Sequence, residues 1–303
     1  MLSFRSWKKK RMIFILGLVL LLGFSLFSES LAAGKSRTSR RKGFRLTAKS
    51  ALVLDLDKER VLFDKNSQDV RSIASLTKLM TAMVFLESRT NLFITETITR
   101  RDAYLSAKSH LRVGETFYLI DLLFASLMSS DNRATRALVR ATGLTEEEFV
   151  ERMNRKADSL GLVNTHFEDP TGLDMGNIST AWECAKLLKV ALSDPLISRI
   201  TTTQDYKFFS LNKRWRNHQA TNSNRLLRSD MEVLGGKTGF IARSGWCLAV
   251  MLKNLEERMC VIVLGASSNR RRFAEAKYIL KSAMEKESSE KLGSIQKIES
   301  LGQ

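Results

Sequence analysis

At 303 residues, 44% of them hydrophobic, the chain can bury one large core or two modest ones, which excludes a disordered polypeptide. Its 49 basic and 32 acidic side chains give a net charge of +17, but residues 1–33 hold five basic groups against one acidic, and residues 34–49 hold seven against none. The remainder carries 37 basic against 31 acidic groups, too even a balance for a nucleic-acid binder.

Residues 1–33 read as a secretory signal, with a basic start, an apolar run from Met12 to Phe27 and small residues at Ser30, Ala32 and Ala33 suited to cleavage. The alternatives are a buried helix or a short uncleaved anchor, because about 17 apolar residues is the low end for a bilayer span. Either membrane reading implies export. Residues 34–48 read as a basic linker, plainly solvated, with a second reading as an arm drawn to phospholipid or cell-wall polymer.

From residue 49 the elements follow in order. "SALVLDLDKERVLFDK" predicts two strands turned at "DLDKER". "IASLTKLMTAMVFLES" changes to the helical period, with Ser75 in the opening turn, and "GETFYLIDLLFASLMSSDN" gives a second apolar helix ending near Ser129. Two more helices are predicted in "DNRATRALVRATG" and "TEEEFVERMNRKADSLG", the latter closed by Gly161. "NTHFEDPTGLD" is turn chemistry, and Thr180 with Glu183 has the spacing of a capping box at the start of "TAWECAKLLKVAL". "EVLGGKTGF", "GWCLAVMLKN" and "RMCVIVLGAS" predict three strands in succession. A closing helix, "RRFAEAKYILKSAMEK", ends a domain spanning residues 49–286, and residues 287–303 read as a flexible polar tail. The order implies an α+β fold: one antiparallel five-stranded sheet, from two early and three late strands, with the helical middle as a separate layer.

Cys184, Cys247 and Cys260 are too few for a disulfide framework; a bridge between Cys247 and Cys260 on neighbouring strands is one option, buried thiols the other. His110, His166 and His218 are scattered, no metal-ligand spacing occurs, and neither a metal nor a cofactor is predicted.

Three short motifs carry the chemistry: Ser75-Leu76-Thr77-Lys78, Ser130-Asp131-Asn132 and Lys237-Thr238-Gly239. On a helix start the i, i+3 spacing puts the Ser75 hydroxyl and the Lys78 amine on one face, where a nucleophile and its base could share a proton. Taken alone, the tetrapeptide reads more readily as an N-cap followed by a solvated charge. A lysine serves as base only when neutral, which requires lowering its pKa by about three units, roughly 4 kcal/mol. Burial and repulsion from Lys237 would both act in that direction.

In order and wording, "IASLTKLMTAM", "LMSSDNRAT", "DPTGLD" and "GGKTGF" resemble the low-molecular-mass D-alanyl-D-alanine peptidases, which are penicillin-interacting serine enzymes, over roughly residues 45–285. "SLMSSDNRA" is most similar to the endopeptidase branch, as is the length after Gly239, 64 residues, too few for the extra β-domain of the carboxypeptidase branch. The resemblance implies a β-lactamase-like transpeptidase fold in a single catalytic domain, periplasmic location, peptidoglycan peptides as substrates and β-lactams as covalent inhibitors. It implies Ser75 as nucleophile, Lys78 as base and Ser130 as the group passing a proton to the departing amine. It further implies an oxyanion hole from the N–H groups of Ser75 and Phe240, a peptide held by Asn132, and a carboxylate bound by Lys237, Thr238 and Gly239. Cleavage of D-alanyl-diamino acid cross-links is the first reading; trimming of pentapeptides and an inactive penicillin-binding wall module are the alternatives.

Two departures stand out. Ile241, Ala242 and Arg243 follow "KTGF" where that branch has small or polar residues, so Arg243 reads either as a reader of a diamino acid carboxylate or as a solvated hairpin arginine. Glu168 in "FEDPTG" does not fit the deacylating glutamate of the commonest serine β-lactamases, which implies slow penicillin turnover.

Overall fold

The computed structural model describes residues 44–88, 91–104, 109–214, 216–254 and 256–301, with side chains through residue 289 in the last helix. The expected signal and nearly all of the basic arm, residues 1–43, lie outside the described residues.

Strands β1 (Ser50–Asp55) and β2 (Arg60–Lys65) form the predicted hairpin, turned where the Asp55 carboxylate accepts from the N–H groups of Asp57 and Lys58, both at 3.0 Å. A two-residue strand β3 (Arg71–Ser72) leads through a 3-10 turn (Ala74–Thr77) into helix α1 (Lys78–Glu87). The hairpin β4 (Thr95–Thr97) and β5 (Thr116–Tyr118) precedes helices α2 (Leu119–Met128), α3 (Asn132–Ala141) and α4 (Glu146–Ser159). Strand β6 (Ile178–Ser179) returns to pair with β3, followed by α5 (Ala181–Ala191), α6 (Pro195–Thr202) and a hairpin of β7 (Asp205–Phe209) and β8 (Asn217–Thr221). Strands β9 (Glu232–Ile241), β10 (Gly245–Asn254) and β11 (Glu257–Ala266) then run into α7 (Asn269–Leu301).

The main sheet has the order β2-β1-β11-β10-β9, antiparallel throughout, as the two-plus-three count of strands requires. Its middle strands read as near-continuous apolar runs because both faces are covered. Alternate residues separate into two cores: Leu52, Ala249, Met251 and Ile262 pack with the helical layer, whereas Val53, Val250, Val261 and Val263 pack under α7 with Ala276 and Ile279. Helix α7 is thus a second layer, on the face opposite the other helices, and β9 is left as a sheet edge.

Ahead of β1, the N–H groups of Thr47 and Ala48 are held at 2.9 and 2.8 Å by the Glu275 carboxylate, itself fully buried on α7. The expected loose tail begins inside a helix: α7 continues to Leu301, and Glu287, only 4% exposed, pairs with Arg60. Glu287 is held there by the charged end of the first hairpin, whereas Ser288 and Ser289 are exposed.

Local signals fared unevenly. Gly161 takes φ +66 after α4, as a C-terminal glycine should. Thr180 caps α5 through the Glu183 N–H at 3.0 Å, but the Glu183 carboxylate turns instead to Asn164 and Thr165; the reciprocal capping box is at Thr145 and Glu148. All three cysteines are buried free thiols. Cys247 lies opposite Gly239 and Cys260 opposite Met251, so the register keeps them from facing each other.

Candidate active site

Ser75 sits on a turn clamped from two sides. Its neighbour Ala74 has φ +49, a conformation unfavourable for a residue with a Cβ, which must be held by its surroundings. Asn177 does part of this: its carbonyl accepts from the Ile73 N–H at 3.0 Å, and its side chain donates to Thr77 Oγ1 at 3.1 Å. Gly172, at φ +80, presses on the turn so closely that a Cβ there would lie 2.2 Å from the Ala74 carbonyl oxygen. From the other side, a Cβ at Gly239 would lie 2.8 Å from the Ile73 oxygen and 3.1 Å from the Ser75 nitrogen. The "DPTG" loop itself is wound around Asp169, whose carboxylate accepts from the N–H groups of Thr171, Gly172 and Asp174.

Lys78, the first residue of α1, is fully buried. Its Nζ lies 3.3 Å from Ser75 Oγ, 2.7 Å from Asn132 Oδ1 and 2.5 Å from the Thr171 carbonyl. A neutral amine has two N–H bonds and one lone pair. The two closest oxygens can only accept, so they take both protons and leave the lone pair for the Ser75 hydroxyl. Burial brings the ammonium down from 10.5 to about 7, against the opposing pull of Asp169 and Asp131 and with a smaller push from Arg136. That corresponds to a penalty of about 5 kcal/mol on the charged form. The expected repulsion is felt at Lys237, which is held well below its ordinary value by burial first and then by the charges of Lys78 and Arg272.

Ser130 takes φ +62 between α2 and α3, and its buried Oγ has no hydrogen-bond partner among the described residues. Asp131 fixes this corner as the N-cap of α3, accepting from the N–H groups of Arg133 and Ala134 and from the Ser109 hydroxyl at 2.6 Å. Asn132, on the first turn of that helix, thereby reaches Lys78.

The third motif lies on β9, the sheet edge beside the Ser75 turn. Thr238 is opposite Leu248 and Lys237 opposite Ala249, so their side chains take different faces of the strand. A cavity of about 560 Å³ is lined by Ser75, Ser130, Asn132, Thr238, Gly239 and Phe240, among others, and by no glutamate. Lys78 and Lys237 stand behind this lining; the Lys237 Nζ donates to the Thr238 carbonyl at 2.9 Å. Phe240 is 42% exposed and stacks on Trp246 at 4.0 Å.

Ile241 and Ala242 line the cavity, whereas Arg243 is exposed outside it, in keeping with a solvated hairpin residue. Glu168 is exposed and pairs with His166 at 3.1 Å. The sequence reading missed Arg272, which lines the cavity yet is 4% exposed, donates to the carbonyls of Gly239 and Cys247 at 3.0 and 3.2 Å, and has an unpartnered buried Nε. It stands in the run Arg270-Arg271-Arg272, where charge gives no clue; only its helical phase with buried Phe273 and Ala276 marks it as inward-facing. Ser223 was also missed, its Oγ 2.6 Å from Thr238 Oγ1.

Residues 35–268 match peptidase family S11, D-alanyl-D-alanine carboxypeptidase. The chain belongs to this family of serine peptidases. It is 31% identical over 270 residues to the D-alanyl-D-alanine endopeptidase of Escherichia coli K12, covering 87% of this chain and 85% of the relative. Among solved structures, the Streptomyces K15 DD-transpeptidase superposes with a TM-score of 0.72 at 26% identity, over 80% of this chain and 98% of the other. Penicillin-binding protein D2 of Listeria monocytogenes, in its cefotaxime-bound form, gives 0.69 at 27% identity over the same shares. This D-alanyl-D-alanine peptidase therefore has the penicillin-binding fold, and its enzyme class is that of a hydrolase acting on peptidoglycan peptides.

Proposed function

We propose that the protein is an exported serine DD-peptidase that opens peptide cross-links through an acyl-enzyme on Ser75. The observation that carries this reading is the Lys78 amine, 3.3 Å from Ser75 Oγ, with its protons directed to two acceptors and its pKa lowered to about 7. Ser75 gives its proton to the Lys78 lone pair as Oγ bonds to the D-alanyl carbonyl carbon. The N–H groups of Ser75 and Phe240, on the two backbones that Gly239 brings together, receive the developing oxyanion. As the C–N bond breaks, Ser130 passes its hydroxyl proton to the departing amine and is reprotonated from Lys78. Water then releases the acyl group.

Asn132 holds the peptide and orients the Lys78 amine at once. Thr238 and Gly239, with Lys237 behind them, form the edge at which a substrate carboxylate docks, and Arg272 supplies the permanent positive charge there. Residues 1–33 serve as the export signal into the periplasm, and the basic arm after them draws the enzyme to an anionic wall or membrane surface. β-Lactams acylate Ser75, and with no glutamate in the cavity the adduct persists.

The test uses a mixture of cross-linked muropeptide dimers and pentapeptide monomers, followed by chromatography with mass detection, beside the intact mass of the protein after penicillin. The expected result is conversion of dimers to monomers and one penicilloyl group per chain, both lost in Ser75→Ala. Loss of one D-alanine from pentapeptides with dimers untouched would make the enzyme a carboxypeptidase, and an adduct that survives in Ser75→Ala would remove Ser75 from the mechanism.

A further inference from the structure

Beside the catalytic cavity lies a second one of about 520 Å³, walled by Asn222, Ser223, Arg225, Arg228, Asn269 and Arg272, with no aspartate or glutamate in its lining among the described residues. Arg228 is tied to Asp205 at 2.7 Å. Arg225, on the short turn Arg225–Arg228, is exposed and has no carboxylate within ion-pair distance among the described residues. Arg272 reaches this cavity too, and its buried Nε–H has no acceptor among the described residues. Burial first, and the nearby Arg225 charge in part, bring the Arg272 guanidinium down to about 10. Arg225 and Arg272 thus stand together with no paired carboxylate among the described residues, and the buried Arg272 Nε–H lacks an acceptor, a combination that favours an anion.

The two cavities share a wall. Arg272 lines both, and the hydrogen bond between Ser223 and Thr238 joins a wall of one to a wall of the other. We propose that the second cavity is a subsite for a carboxylate on the departing half of a cross-linked peptide dimer. This rests on the endopeptidase reading above. When a pentapeptide is cut, a single D-alanine leaves, and its carboxylate reaches no farther than the Thr238 and Arg272 edge. When a dimer is cut, the departing amine belongs to a whole peptide bearing further carboxylates, one of which would lie between Arg225 and Arg272.

Steady-state kinetics on purified dimers tests this. Arg225→Ala should raise KM about tenfold, the loss of one charge-assisted hydrogen bond, with kcat little changed and partial recovery in Arg225→Lys. Dimers amidated on the departing half should bind the native enzyme as weakly and be insensitive to Arg225→Ala. Penicillin, which has no departing peptide, should acylate the variant at the native rate. A dimer KM within twofold of native in Arg225→Ala, or equal slowing of dimers and penicillin, would overturn the subsite. If the native enzyme cuts no dimers, the endopeptidase reading fails by itself. Equilibrium binding of dimers to Ser75→Ala, with and without Arg225→Ala, then decides the subsite: unchanged affinity would refute it.

Discussion

Lys78→Met should slow acylation by penicillin by about a thousandfold, the scale of a lost general base, while the protein still folds. Methionine fills nearly the same volume, but the lone pair that takes the Ser75 proton is gone, and Asn132 Oδ1 and the Thr171 carbonyl lose their donor. Stopped-flow mass or fluorescence detection of the adduct gives the rate, and circular dichroism the fold. Acylation within tenfold of native in a folded Lys78→Met protein would show that some other group takes the proton.

Gly172→Ala should damage the same chemistry without touching a reacting atom. A methyl group there would meet the Ala74 oxygen at 2.2 Å, and φ +80 is itself unfavourable to alanine, so either the loop or the Ser75 turn must move. A displacement of about 1 Å at the nucleophile is enough for a hundredfold loss of rate. Gly161→Ala is the matched control: φ is +66, but nothing lies within 4 Å, so only the backbone cost of about 1 kcal/mol is expected. Thermal melts and penicillin acylation rates separate the two. Equal melting shifts with unchanged acylation in both would mean that Gly172 does not hold the turn.

Much of this site was legible because its chemistry needs particular residues at short spacings. A serine and lysine three apart at a helix start, a serine and asparagine around an N-cap, and a glycine after Lys237-Thr238 can each be read without coordinates. The sheet was legible for a similar reason: two early and three late apolar runs leave few ways to pair. What was hidden depends on long-range packing. Arg272 sits 35 positions after Lys237 in a run of arginines, and only the docking of α7 on the sheet brings it to the cavity. The roles of Asp169 and Asn177 were obscure because a turn-rich segment looks alike whether it is a surface loop or the clamp on a catalytic turn. Lys78 and Lys237 were read as adjacent cations, but the burial that lowers both amines, Lys237 with a further push from Lys78, is not displayed by a sequence. The helical start of the tail was hidden because Glu287 reads as a solvated charge until Arg60 of the first hairpin is seen beside it.

The central claim is that Lys78 is neutral in the working enzyme. It is tested most directly by the pH dependence of the second-order rate of penicillin acylation, which reports the free enzyme. Only the deprotonated amine can take the Ser75 proton, so the rate should rise with pH, reach half its maximum near the value of about 7 and level off above it. A rate that is flat from about pH 5.5 to 9, or that falls across that range, would contradict a neutral Lys78 as the base.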